Sequence, residues 1–158
     1  MAIKSSTLSY FQELEALKDT DEAQNEAFMD LLVFTILADA EITDQELEQL
    51  DDELTRLPFL WDKEVRERVV DHSANTREHL EQIIGDPEAV TSFVEETTAK
   101  LTERDHQVVA LRMMAAIALA DGITEAERDK IYEVGHAFHV SDQAIEDVIE
   151  EVAEHMIS

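Results

Sequence analysis

The chain has 158 residues and 17.9 kDa, enough for one domain that buries roughly 70% of its unfolded surface without disulfide or metal staples. Its 38 acidic against 12 basic side chains give a formal charge of -26, which excludes a phosphate-neutralising face and with it nucleic acid as a partner. The lack of Cys excludes disulfides and thiolate chemistry, and 44% hydrophobic residues with three Gly and two Pro point to an all-α domain rather than disorder or a turn-rich β fold.

Along the chain, Met1 to Phe11 holds Ser5, Ser6 and Ser9 where a secretory signal needs an apolar core, so a cytoplasmic protein is expected. Leu8, Phe11, Leu14 and Leu17 follow helical spacing and predict a short first helix, ended by Asp19-Thr20-Asp21. The second helix, from about Glu22 to Ala38, is apolar over most of its circumference and reads as central to the core. A third carries Leu47, Leu50, Leu54 and Leu57 on one stripe and stops at Pro58. Val65, Val69 and Val70, then Leu80, Ile83 and Ile84, predict two amphipathic helices with a break near Ser73 to Asn75.

Gly85-Asp86-Pro87 ends one helix and opens another, which reaches about Leu101. Thr102 with Asp105 predicts the start of a long apolar helix through Val108, Leu111, Met114 and Ala118 to Asp121-Gly122. Helices over about Glu125 to Phe138 and Asp142 to Met156 follow, the last capped by Ser141 with Ile145, Val148, Ile149, Val152 and Met156 on its stripe. The apolar runs Ala27 to Ala40 and Val108 to Ala120 are interrupted by Asp30 and Arg112 and are too short for a membrane span. Each half of the chain, divided at residue 79, carries -13, so the charge is no acidic tail; a salt-rich habitat is one setting that suits such a surface.

One acidic turn occurs twice. Ala38-Asp39-Ala40-Glu41-Ile42-Thr43-Asp44-Gln45-Glu46 and Ala120-Asp121-Gly122-Ile123-Thr124-Glu125-Ala126-Glu127 lie 82 residues apart, each between an apolar helix and an amphipathic one. The chain therefore reads as a single domain with pseudo-repeats over about 22–57 and 103–138. This turn, Ala-Asp-Gly-x-Ile-x-x-x-Glu, resembles that of the TerB-like domains, named for tellurite-resistance proteins and related to the amino-terminal domain of a membrane-anchored DnaJ-type co-chaperone. It matches at Ala38, Asp39, Ile42 and Glu46, and at Ala120, Asp121, Gly122, Ile123 and Glu127; Ala40 stands where the family favours Gly, and the second copy is one residue shorter. The resemblance implies an all-α bacterial bundle of about seven helices, tied to stress-response complexes near the membrane, with acidic sites suited to calcium-type cations.

Two readings of these turns stay open. Thr43-x-x-Glu46 and Thr124-x-x-Glu127 are capping boxes, which account for both Glu residues without a ligand. Asp39 and Asp121, however, fall at the negative end of a helix dipole, and either turn amides or a bound hard cation must offset that placement. The cation reading, with calcium as the ion, uses Asp39, Glu41, Asp44 and Glu46 in the first half and Asp121, Glu125 and Glu127 in the second. An EF-hand is excluded, because with Asp39 at loop position five, positions one and three become Thr35 and Leu37 inside an apolar helix.

Other chemistry is weaker. The pairs Glu103/His106 and Glu133/His136 have the Glu-x-x-His spacing of di-iron bundles, although six His among 23 Glu make about one such pair by chance. His136 and His139 suit a helix C-terminus better than a zinc site with no further ligands. Met113, Met114 and Met156 read as core, and Trp61, beside Phe59 and Leu60, reads as a core plug. No nucleophile elbow, phosphate loop or zincin helix is present. The expectation is a non-enzymatic adaptor of a stress-response assembly that binds a protein partner, membrane-associated or not, without inserting into the bilayer. A helical metalloprotein and an unliganded homo-oligomer, such as a homodimer, are the alternatives.

Overall fold

The computed structural model describes residues 20–37, 48, 50, 54, 57–83, 85–120 and 123–157. Among them the chain forms six α-helices and a 3-10 turn, with no strand. These are α1 (Glu22–Ile36), the 3-10 turn (Pro58–Trp61), α2 (Lys63–Ile83), α3 (Pro87–Thr98), α4 (Arg104–Leu119), α5 (Glu125–Ala137) and α6 (Asp142–Ile157). The first expected helix, most of the third and the side chain of Met156 lie outside the described residues, while Glu48, Leu50 and Leu54 are helical. None of the described helices is long and apolar enough to cross a membrane.

The two apolar helices make the core, as their sequences predict. α1 buries Phe28, Leu31, Leu32 and Phe34, and α4 buries Leu111, Met114 and Ile117, all almost completely; each such side chain contributes about 1.5–3 kcal/mol by leaving water. α1 and α4 pack on each other, α2 and α3 cover α1, and α5 and α6 cover α4. The expected stripe of α6 is buried at Ile145, Val148, Ile149 and Val152, and Met113 and Met114 are buried in α4.

The helix starts follow local chemistry. Asp21 caps α1 in a box with Gln24, accepting its N–H at 2.8 Å while the Gln24 side chain accepts the Asp21 N–H at 3.0 Å. Asp86 accepts from the N–H groups of Glu88 and Ala89 ahead of Pro87, and Ser141 accepts from the Ala144 N–H at the head of α6. At α4 the expected Thr102 cap gives way to Glu103, whose extended backbone (φ -87, ψ 135) places it at the cap position without a side-chain bond.

The expected break near Ser73 to Asn75 does not exist: α2 is one helix of 21 residues. Its buried stripe runs through Val69, Thr76 and Leu80, with His72 and Ser73 half-buried between them. These polar residues look like a loop in the sequence because they occupy the core-facing side of the helix, where apolar residues are expected.

α5 ends in a Schellman motif. The Val140 N–H donates to the Gly135 carbonyl and the His139 N–H to the His136 carbonyl, both at 2.9 Å, with His139 at φ 61 in the left-handed position that glycine normally fills. Gly135 itself is required for contact with α6, because a Cβ there would stand 2.5 Å from Ile145 Cδ1. Replacing His139→Gly relieves the left-handed strain and is expected to raise stability by about 1 kcal/mol, read as a higher urea midpoint at unchanged slope.

Candidate functional site

Among the buried polar groups, Asp30 has the richest surroundings. It sits on α1 with 4% of its surface exposed, and Oδ1 accepts a hydrogen bond from Thr76 Oγ1 at 2.7 Å while His72 Nε2 lies 2.8 Å away. The other ring nitrogen, His72 Nδ1, is 3.8 Å from Glu26 Oε1, so the imidazole bridges two α1 carboxylates one helical turn apart. Burial pushes the Asp30 carboxyl above its ordinary value near 3.8, against the opposing pull of Thr76, His72 and Lys100. Chemically this is a carboxylate–imidazole pair able to hold and pass a proton, and structurally it ties α2 to α1. The interruption of an apolar run by Asp30 is the sequence signal that points to it.

A second polar strip closes α5 on α6. Arg128, Tyr132 and His136, at four-residue spacing on α5, face Glu146 and Asp142 on α6. Arg128 and the Tyr132 hydroxyl both donate to Glu146 Oε1, and His136 Nε2 lies 2.5 Å from Asp142 Oδ1. Partial desolvation first, then the Glu146 carboxylate, holds the Tyr132 hydroxyl above its ordinary value.

The residues expected to bind metal divide between the described and the undescribed. Asp39, Glu41, Asp44, Glu46 and Asp121 lie outside the described residues. Glu127 is 1% exposed and forms the capping box with Thr124: its Oε1 accepts the Thr124 N–H at 3.0 Å, and its own N–H donates to Thr124 Oγ1 at 3.1 Å. Glu125 is exposed in the first turn of α5.

The Glu-x-x-His pairs do not converge. His106 is buried edge-on against Phe28 with Glu103 Oε2 at 3.4 Å, whereas His136 turns to Asp142 and Glu133 lies by Lys130. Among the described residues no group of three or more His, Asp or Glu could hold a metal ion. His136 and His139 serve the helix end and the Schellman turn.

Trp61 is the correction that matters for function. Leu60 is buried and Phe59 stacks on Phe28 at 6.4 Å, but Trp61 is 61% exposed. A 3-10 turn has three residues per turn, so successive side chains point about 120° apart and the three aromatic and aliphatic neighbours cannot all face the core. Trp61 and Val70, at 59%, are the exposed large hydrophobics among the described residues. Both fall between residues 56 and 77, which hold five of the 12 basic but four of the 38 acidic side chains, a net +1 in a chain of -26. Counting charge by halves averages this strip away; a shorter window finds it.

No family model matches the chain, and neither the curated proteins nor the solved structures give a significant match.

Two outcomes test these assignments. A carboxyl whose folded value is raised favours the fold most below its ordinary pKa, and that contribution is lost as pH rises through the folded value. Asp30→Asn, which keeps an acceptor for Thr76 and His72, is therefore expected to gain on the native protein between pH 4 and pH 7 in urea titrations; a variant that instead loses ground toward neutral pH would show the His72 pairing outweighing burial. Thr124→Ala is expected to cost about 1 kcal/mol equally in chelator and in calcium at high salt, and a loss seen with calcium alone would assign Glu127 to a cation.

Proposed function

We propose that this protein is a non-enzymatic interaction domain, an adaptor that engages a protein partner through the strip formed by the 3-10 turn and the first half of α2. The observation that supports this is the exposure of Trp61. An indole with most of its surface in water beside Val70, flanked by Lys63, Arg66 and Arg68, has the composition of an interface anchor, where Trp and Arg are enriched. The strip itself holds three basic and four acidic side chains, a lower negative density than the chain as a whole, so an acidic macromolecule is repelled less there than by the chain on average.

The stress-response setting belongs to the same proposal and rests on the TerB-like turn, of which Ala120, Ile123 and Glu127 lie among the described residues. In this reading the polar contacts of Asp30 and Glu146 are structural, fixing helices rather than turning over a substrate. The test is capture from cell extract on immobilised protein, comparing the native chain with Trp61→Ala and with Glu150→Ala, an exposed change on α6. A partner retained by the native and Glu150→Ala forms and lost with Trp61→Ala is the expected result. Identical capture by all three would sink the proposal.

A further inference from the structure

A cleft of about 200 Å³ opens along the seam between α1 and α2. Its α1 wall carries Glu22, Asn25 and Glu26, its α2 wall carries Arg68, and Val65 and Val69 supply an apolar side. The volume is below the roughly 300–1,000 Å³ of pockets for drug-sized ligands, so the cleft suits a smaller molecule.

The polar groups around it are not satisfied by one another. Asn25 is 7% exposed, and its side-chain oxygen accepts from the Thr20 hydroxyl, which leaves its amide N–H2 with no acceptor among the described residues. A donor so deeply placed is costly unless something in the cleft accepts from it. Glu26 is half-buried, and His72 Nδ1, 3.8 Å from its Oε1, is beyond hydrogen-bond reach. Arg68, on the other helix, forms no ion pair with a described residue. Opposite charges therefore face one small cleft from two helices without closing on each other.

The donors, Arg68 and the Asn25 amide, suit a carboxylate. The acceptors, Glu22 and Glu26, repel each other one turn apart on α1, and a cation between them relieves that repulsion. A metal ion would leave both donors unused, and among the described residues no group of three or more His, Asp or Glu could hold one.

We infer that this cleft binds a small zwitterion, an α-amino acid with an aliphatic side chain. Its carboxylate accepts from Arg68 and the Asn25 amide, its ammonium lies between Glu22 and Glu26, and its side chain rests on Val65 and Val69. A zwitterion has no net charge, so the field of a -26 chain neither gathers nor expels it, and selection rests on the match at both ends. Because α1 supplies one end of the match and α2 the other, the bound molecule ties the two helices together. The site stands independently of the interaction reading above.

Isothermal titration calorimetry at roughly 0.15 M salt, where the Debye length is about 8 Å, compares L-valine with its two halves: isovalerate, which lacks the ammonium, and isobutylamine, which lacks the carboxylate. The native chain is expected to bind L-valine saturably at one site, and each half more weakly by roughly tenfold or more. Arg68→Gln and Glu26→Gln are each expected to weaken L-valine binding by a similar factor, while Glu150→Ala on α6 leaves it unchanged. Asn25→Asp, of the same shape with an acceptor in place of the donor, is expected to weaken it as well. Urea midpoints confirm that each variant is folded.

No saturable binding of L-valine to the native chain, or unchanged affinity in folded Arg68→Gln, would overturn the proposal. Isobutylamine bound as tightly as L-valine would reduce the cleft to a cation site drawn by the acidic surface, and isovalerate bound as tightly would reduce it to an anion site. Either result overturns the zwitterion as well.

Discussion

Burying α1 and α4 on nearly every face sets the rest of the arrangement. A helix apolar all round cannot lie at a surface, so each must be enclosed by neighbours. Contact between the two encloses one side of each. The amphipathic helices then have fixed tasks: α2 and α3 close over Phe28, Leu31 and Phe34, and α5 and α6 close over Leu111, Met114 and Ile117.

How much of this was legible depended on whether local chemistry or tertiary partners made the decision. The caps at Asp86, Thr124 and Ser141 and the all-round apolar character of α1 and α4 are properties of short sequence windows, and they read correctly. The continuity of α2 is not such a property. Thr76 and His72 face inward because Asp30, more than forty positions earlier, accepts from the one and pairs with the other, and no local window contains that fact. Trp61 misled for a related reason: its two neighbours already fill the adjoining core space, and the tight turn leaves the third side chain outside. The second acidic turn was open to both a cap and a cation reading, and Thr124 and Glu127 form the cap.

The polar contacts divide by depth. The Arg128–Glu146 pair is part-exposed and closes a hairpin that Gly135 and Ile145 already hold in contact, so it adds orientation more than stability. Asp30 is different. A buried carboxylate gains from its partners but loses hydration, and the upward shift of its pKa shows that the lost hydration outweighs what Thr76 and His72 return. Its value to the fold is then one of register: a single buried acceptor opposite Thr76 and His72 fixes how far α2 slides along α1, a choice that Val69 and Leu80 alone would leave loose.

That arrangement bears on how firmly α2 is attached. Three of its 21 residues are fully buried, and its first two turns beyond Trp61 bury Val69 alone. Detaching α2 would return the Asp30 carboxylate to water but break its contacts with Thr76 and His72, so the pair adds little to the few apolar contacts that hold the helix. Local opening should therefore begin at this helix, and its amides should exchange with solvent well before those of α4. Among the described helices, the one that follows the exposed indole buries the smallest share of its residues, and a partner seated there would slow that exchange by holding the helix down from outside.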